Sequence, residues 1–117
     1  MKLLSREGSR GFMNILDDRE KGFERKYALD EAREFRAIAR RNRMFGEWAA
    51  QRMGLENTHN YAEAIVKYHL EQAGEEDVLR KVGQDLTGAG LTVRDAELRA
   101  KLDELMAIAR QETENEG

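Results

Sequence analysis

Cysteine and proline are both absent from the 117 residues. Without thiols there is neither a disulfide framework nor a thiolate metal site, and such usage suits a reducing compartment. Without proline, nothing rigid interrupts a helix. Aromatic residues are scarce at 7%, and there are only two histidines. No apolar run approaches the roughly 20 residues of a membrane span, so direct membrane insertion is not expected and a soluble chain is. What is abundant is charge, at 37% of residues. Together with the missing proline, it points to an all-α chain folded as a small, solvated four-helix bundle with a long amino-terminal helix or arm. The length allows one domain with a modest core.

The net charge of −3 conceals an asymmetry. Residues 1–53 carry 13 basic and 9 acidic groups, whereas residues 54–117 carry 7 and 14. The two halves should attract one another.

The stretch from Asp17 to Gly54 organises the rest. Asp17 can cap a helix and Glu20 can close a capping box, while Gly54 can take the left-handed conformation that ends one. Between them Ala28, Ala32, Phe35, Ile38, Ala39, Phe45, Ala49 and Met53 recur at helical spacing, with Trp48 at the edge. Ahead of it, residues 1–16 read as a flexible amino-terminal tail without the apolar core of a secretory signal, and Met13 is a second candidate for the native start. Helices are expected at about 17–53, 58–73, 75–87 and 92–111 within a four-helix domain of residues 17–111, followed by an acidic flexible end at 112–117. The inward positions expected later are Tyr61, Ala62, Ile65, Val66 and His69 or Leu70; then Val78, Leu79, Val82 and Leu86; then Leu91, Leu98, Leu102, Leu105, Met106 and Ala109.

Helix lengths set a problem. At about 1.5 Å per residue the first helix spans on the order of 55 Å and the others about 25, 18 and 30 Å, so they cannot cover it. Either it breaks between Arg41 and Gly46 or its amino-terminal portion projects, and the wealth of large side chains after Phe35 favours projection.

Candidate chemistry is thin. His59 and His69 lack companion ligands at metal-binding spacing, so no metal is expected. Gly88-Ala89-Gly90 follows a helix and lacks a Lys-Ser or Lys-Thr pair, so turn glycines explain it better than a phosphate loop. Arg36, Arg40 and Arg43 share a helix face and could form an anion or nucleotide patch, but neighbouring carboxylates and the acidic later helices favour internal pairing over nucleic-acid binding. No catalytic constellation and no cofactor motif is present, so the chain is not expected to be an enzyme.

Three blocks carry a resemblance. Leu-Asp-Asp-Arg-Glu-Lys-Gly-Phe-Glu-Arg-Lys-Tyr-Ala at 16–28, Ala-Arg-Arg-Asn-Arg-Met-Phe-Gly-Glu-Trp-Ala-Ala at 39–50 and Gly-Glu-Glu-Asp-Val-Leu-Arg-Lys-Val at 74–82 resemble the zeta subunit of the F-type ATP synthase of alphaproteobacteria. The likeness covers Leu16 to Arg110. It implies a four-helix inhibitor, monomeric when free, that binds the catalytic and rotor subunits and blocks ATP hydrolysis. That role would hold it at the cytoplasmic side of the inner membrane through the synthase. The inserting segment maps to Asn14, Ile15, Leu16, Asp17, Asp18, Arg19, Glu20, Phe23, Lys26 and Tyr27, with Leu16 standing where the family pattern has Phe. Two other readings stay open: a non-inhibitory binding module of the same fold that senses nucleotide through its arginines, and a helical nucleic-acid binder.

Overall fold

The structure, a computed structural model, describes residues 6–71 and 74–116, the side chains of 6–24 and 27 excepted. It contains four helices: α1 Arg6–Met53, α2 Thr58–Glu71, α3 Glu75–Gly88 and α4 Asp95–Glu116. Among the described residues there is no strand. The chain divides into two compact units, Met1–Arg33 and Glu34–Gly117, and α1 contributes to both.

α1 runs unbroken through Arg41 to Gly46, so the break there, the less favoured of the two alternatives, does not occur. It begins at Arg6 rather than at an Asp17 cap. Gly8 and Gly11 each weaken a helix by about 1 kcal/mol, but only proline would stop it. The expected flexible tail therefore overlaps helix from Arg6 onward, and Met1–Ser5 lie outside the described residues. At the other end, the Leu55 amide donates to Ala50 O and the Gly54 amide to Gln51 O. This is a Schellman closure, which needs the left-handed backbone that Gly54 adopts at φ +73°. Gly90 closes α3 in the same way, with the Leu91 amide reaching Leu86 O. The Asn57 side chain caps α2, accepting from the Asn60 amide at 2.9 Å. α4 starts at Asp95, its first turn closed by backbone bonds from the Glu97 and Leu98 amides to Arg94 O.

In the unit Glu34–Gly117, Phe45 and Ala49 of α1 join Ile65, Val78, Val82, Leu86, Leu98, Leu102 and Leu105 in one buried cluster. The inward faces of α2, α3 and α4 follow the apolar periodicity, with one choice settled: His69 is partly buried and Leu70 is 62% exposed. The inward face of α1 does not follow it. Phe35 is 57% exposed and Ala28 and Ala32 are exposed, whereas Ala37, Arg41 and Asn42 are buried. Of the stripe expected from 28 to 39, only Ile38 and Ala39 are half-buried. The face continuous with Phe45 and Ala49 passes through two polar residues, which a hydrophobic template rejects.

Trp48 stacks on Phe45, ring centres 5.7 Å apart, and carries Arg52 and the Lys101 ammonium of α4 at 5.3 and 5.7 Å. Gly46 brings α1 close against α2. A Cβ there would stand 2.7 Å from the Ala62 Cα of α2, a contact with backbone that no rotamer change relieves. Gly46→Ala is therefore expected to destabilise the fold by about 1–3 kcal/mol despite alanine's higher helix propensity. The measurement is a urea unfolding midpoint against that of Gly88→Ala, where an added Cβ meets nothing within 4 Å.

Candidate functional site

The sequence-derived inhibitory segment lies on α1, within the unit Met1–Arg33. The side chains of Asn14, Ile15, Leu16, Asp17, Asp18, Arg19, Glu20, Phe23 and Tyr27 lie outside the described residues. Lys26 is described: it is exposed and pairs with Asp30 at 3.2 Å, one turn on. Arg25, Lys26 and residues 28–33 are all exposed, including Leu29 at 60%. An amphipathic surface helix hides one face. Over its described side chains, this stretch hides none.

The basic cluster is dispersed onto carboxylates. Arg40 reaches Glu112 and Glu116 of α4, and Arg43 Nε donates to Glu63 of α2 at 2.9 Å. That bond holds the Glu63 carboxyl below the usual range. Arg36 is exposed. Arg40 and Arg43 thus point their charge to different helices, α4 and α2, rather than to one shared anion.

Arg41, beside Arg40 in the chain, is buried, 3% exposed. Its Nε and Nη2 donate to Asn42 Oδ1 at 3.1 and 2.9 Å, and its Nη1 donates to Glu75 Oε1 at 2.7 Å. The other Glu75 oxygen accepts from Arg99 of α4, whose second amino group reaches Glu76. Burial lowers the Arg41 pKa, opposed by the attraction of Glu75. A guanidinium stays charged in any case, so the carboxylate is required. The signal that could have found this residue was the mismatch between an Arg-Asn pair and the extrapolated Phe45-Ala49 face.

His69, on the last turn of α2, has its pKa lowered first by burial and then by the Arg41 charge, with Glu75 opposing. Among the described residues no group of three or more His, Asp or Glu could hold a metal ion, and no helix is long and apolar enough to cross a membrane.

The two carboxylates at the start of α3 should differ. Glu75→Ala strands a buried cation and is expected to cost about 3 kcal/mol, whereas Glu76→Ala removes an exposed partner and should cost under about 1 kcal/mol. Urea titrations of both variants check the ordering.

His69 sets a pH dependence. Its folded pKa is depressed, so the unfolded chain binds the proton first, and stability is full above the unfolded value of about 6.5 and falls as pH drops below it. Glu34, held low by its bond from Arg110, adds a loss in the same direction at more acidic pH. His69→Gln is expected to flatten the fall in melting temperature between pH 7 and 5.5, as measured by circular dichroism.

A solution NMR structure 42% identical in sequence matches with a TM-score of 0.61, over 72% of this chain and 98% of the other. No curated protein matches the chain. The family model of the ATPase inhibitor subunit zeta matches residues 13–112, and the chain belongs to that family.

Proposed function

We propose that this protein inhibits ATP hydrolysis by an F-type ATP synthase, binding the catalytic head and inserting residues 14–27 between catalytic and rotor subunits as a steric wedge. Family membership supports the inhibitory role. The observation that carries the mechanism is the helical stretch 25–33, every described side chain of which is open to solvent. Such a helix has surface to give a partner. The protein acts as a regulator rather than a catalyst, since blocking a rotary step needs a rigid body and no acid, base or metal. It is monomeric when free and peripheral on the cytoplasmic side of the membrane through the synthase.

Energetics favour an arm that is already helical. Leu16, Phe23 and Tyr27, spaced by seven and four, fall on one helix face. With Ile15 they contribute roughly 1.5–3 kcal/mol each when buried at a partner, about 6–12 kcal/mol in all. Ordering some fifteen free residues costs about 1–2 kcal/mol apiece in backbone entropy, which is of the same size or larger. A detached peptide this short is marginal as a helix in water. In α1 the same residues continue a helix whose later turns sit in a packed core.

The test is ATP hydrolysis by the isolated head of the organism's own synthase. The full chain is expected to inhibit. A form lacking residues 1–27 is expected to unfold cooperatively, because the core lies in Glu34–Gly117, yet to leave hydrolysis untouched. The peptide 13–32 is expected to inhibit at least about tenfold more weakly than the full chain, a difference of 1.4 kcal/mol. Inhibition by the shortened form equal to that of the full chain would remove the wedge.

A further inference from the structure

α4 does not stop where the acidic end begins. It continues to Glu116, and Thr113 and Ala109 are completely buried. The carboxylates beyond residue 111, which in isolation read as a frayed terminus, are fixed by α1: Arg40 contacts both Glu112 and Glu116. A turn and a half earlier on α1, Glu34 receives a two-pronged grip from Arg110, Nη2 at 2.7 Å and Nε at 3.2 Å. Between Glu34 and Arg40 lies Ala37, 1% exposed. Two sets of charge pairs, Arg110 with Glu34 and Arg40 with Glu112 and Glu116, thus tie the last turns of α4 to residues 34–40 of α1. These are the first residues of α1 that belong to the packed unit.

We propose that this end of α4 is a positioning clamp, with Arg40 and Glu116 as its principal residues: it pins the turn of α1 from which helix runs on toward the inhibitory segment. The inference rests on the wedge reading for its consequence in inhibition, though not for its physical basis. Nucleating a helix is unfavourable by a factor on the order of a thousand, whereas extending one adds a hydrogen bond for each residue fixed. If residues 34–40 fray, the segment ahead loses its template and must order at the moment of binding. If they are held, each further turn is propagation. Arg40, which could be taken for an anion-binding residue, thereby gains an internal task.

The experiment uses the full chain and two readouts. Amide hydrogen exchange is compared for the wild type, Arg40→Glu and the charge-swapped Arg40→Glu/Glu116→Arg, alongside inhibition of ATP hydrolysis. Arg40→Glu is expected to speed exchange at residues 25–40 by roughly three- to tenfold, the size that a few networked surface ion pairs set, while amides of Ile65, Val78 and Val82 stay protected. The swap should restore the slow exchange, and inhibitory potency should fall and recover in step. Unchanged exchange at 25–40 in Arg40→Glu, or acceleration spread evenly over the core, would overturn the clamp. If the wild type fails to inhibit while the exchange pattern appears as described, the clamp stands and the wedge reading falls.

Discussion

One buried cation sets the geometry of the packed unit. Arg41 cannot shed its charge, and taken out of water it must meet a carboxylate, which arrives as Glu75 from the first turn of α3. That position suits the carboxylate twice, because the exposed amides of the helix start also favour negative charge. Glu75 then draws in Arg99 of α4. Three helices are tied through one side chain. The apolar cluster around Phe45 and Leu86 supplies the driving force for collapse, but Leu, Val and Ile tolerate sliding. A guanidinium fork held by Asn42 Oδ1 and Glu75 Oε1 does not, so the register of α3 and α4 against α1 follows from it.

A second constraint is closeness. Gly46 lets α1 meet α2 backbone against backbone at Ala62, and Ala37, Ala49 and Ala50 keep parts of the buried side of α1 narrow. Small residues admit neighbours around one long helix, and Phe45, stacked with Trp48, joins the buried apolar cluster. Around this centre the charges pair between elements: Arg43 with Glu63 of α2, Arg41 with Glu75 of α3, and Arg40 with the end of α4. The basic first half and the acidic second half of the sequence are complementary because they face each other within the packed unit.

Four helices, their order and the inward faces of α2, α3 and α4 were legible in the sequence, because Ile65, Val78, Val82, Leu86, Leu98, Leu102 and Leu105 repeat at unambiguous helical spacing with polar residues between them. Gly54 was legible because a left-handed helix end is a local requirement. Three features were not. Arg41 and Asn42 occupy inward positions that only a partner from α3 makes tolerable, and the partner is 34 residues away. Phe35 looked like core because it is large and apolar, yet it is 57% exposed. Glu112 and Glu116 looked unstructured because their cation, Arg40, lies on α1. For Arg41, Asn42 and these carboxylates, local chemistry was overruled by a long-range pairing. The candidate inhibitory segment was legible only as a resemblance, since nothing in its own periodicity distinguishes a surface helix from a docking one.

Charge within that segment bears on how it would bind. Residues 14–27 carry Arg19, Lys21, Arg25 and Lys26 against Asp17, Asp18, Glu20 and Glu24, so the two signs balance. Beyond a Debye length of about 8 Å at physiological salt such a segment presents little net field. Long-range steering is therefore a small part of its association with any partner. On the proposed reading, affinity would come from burying Leu16, Phe23 and Tyr27, and the alternating charges would act at contact distance, where like-charge juxtaposition penalises a segment docked one turn out of place. A wedge needs that division of labour. On the reading proposed above, the apolar stripe would hold the segment in the cleft and the charges would fix how far it enters.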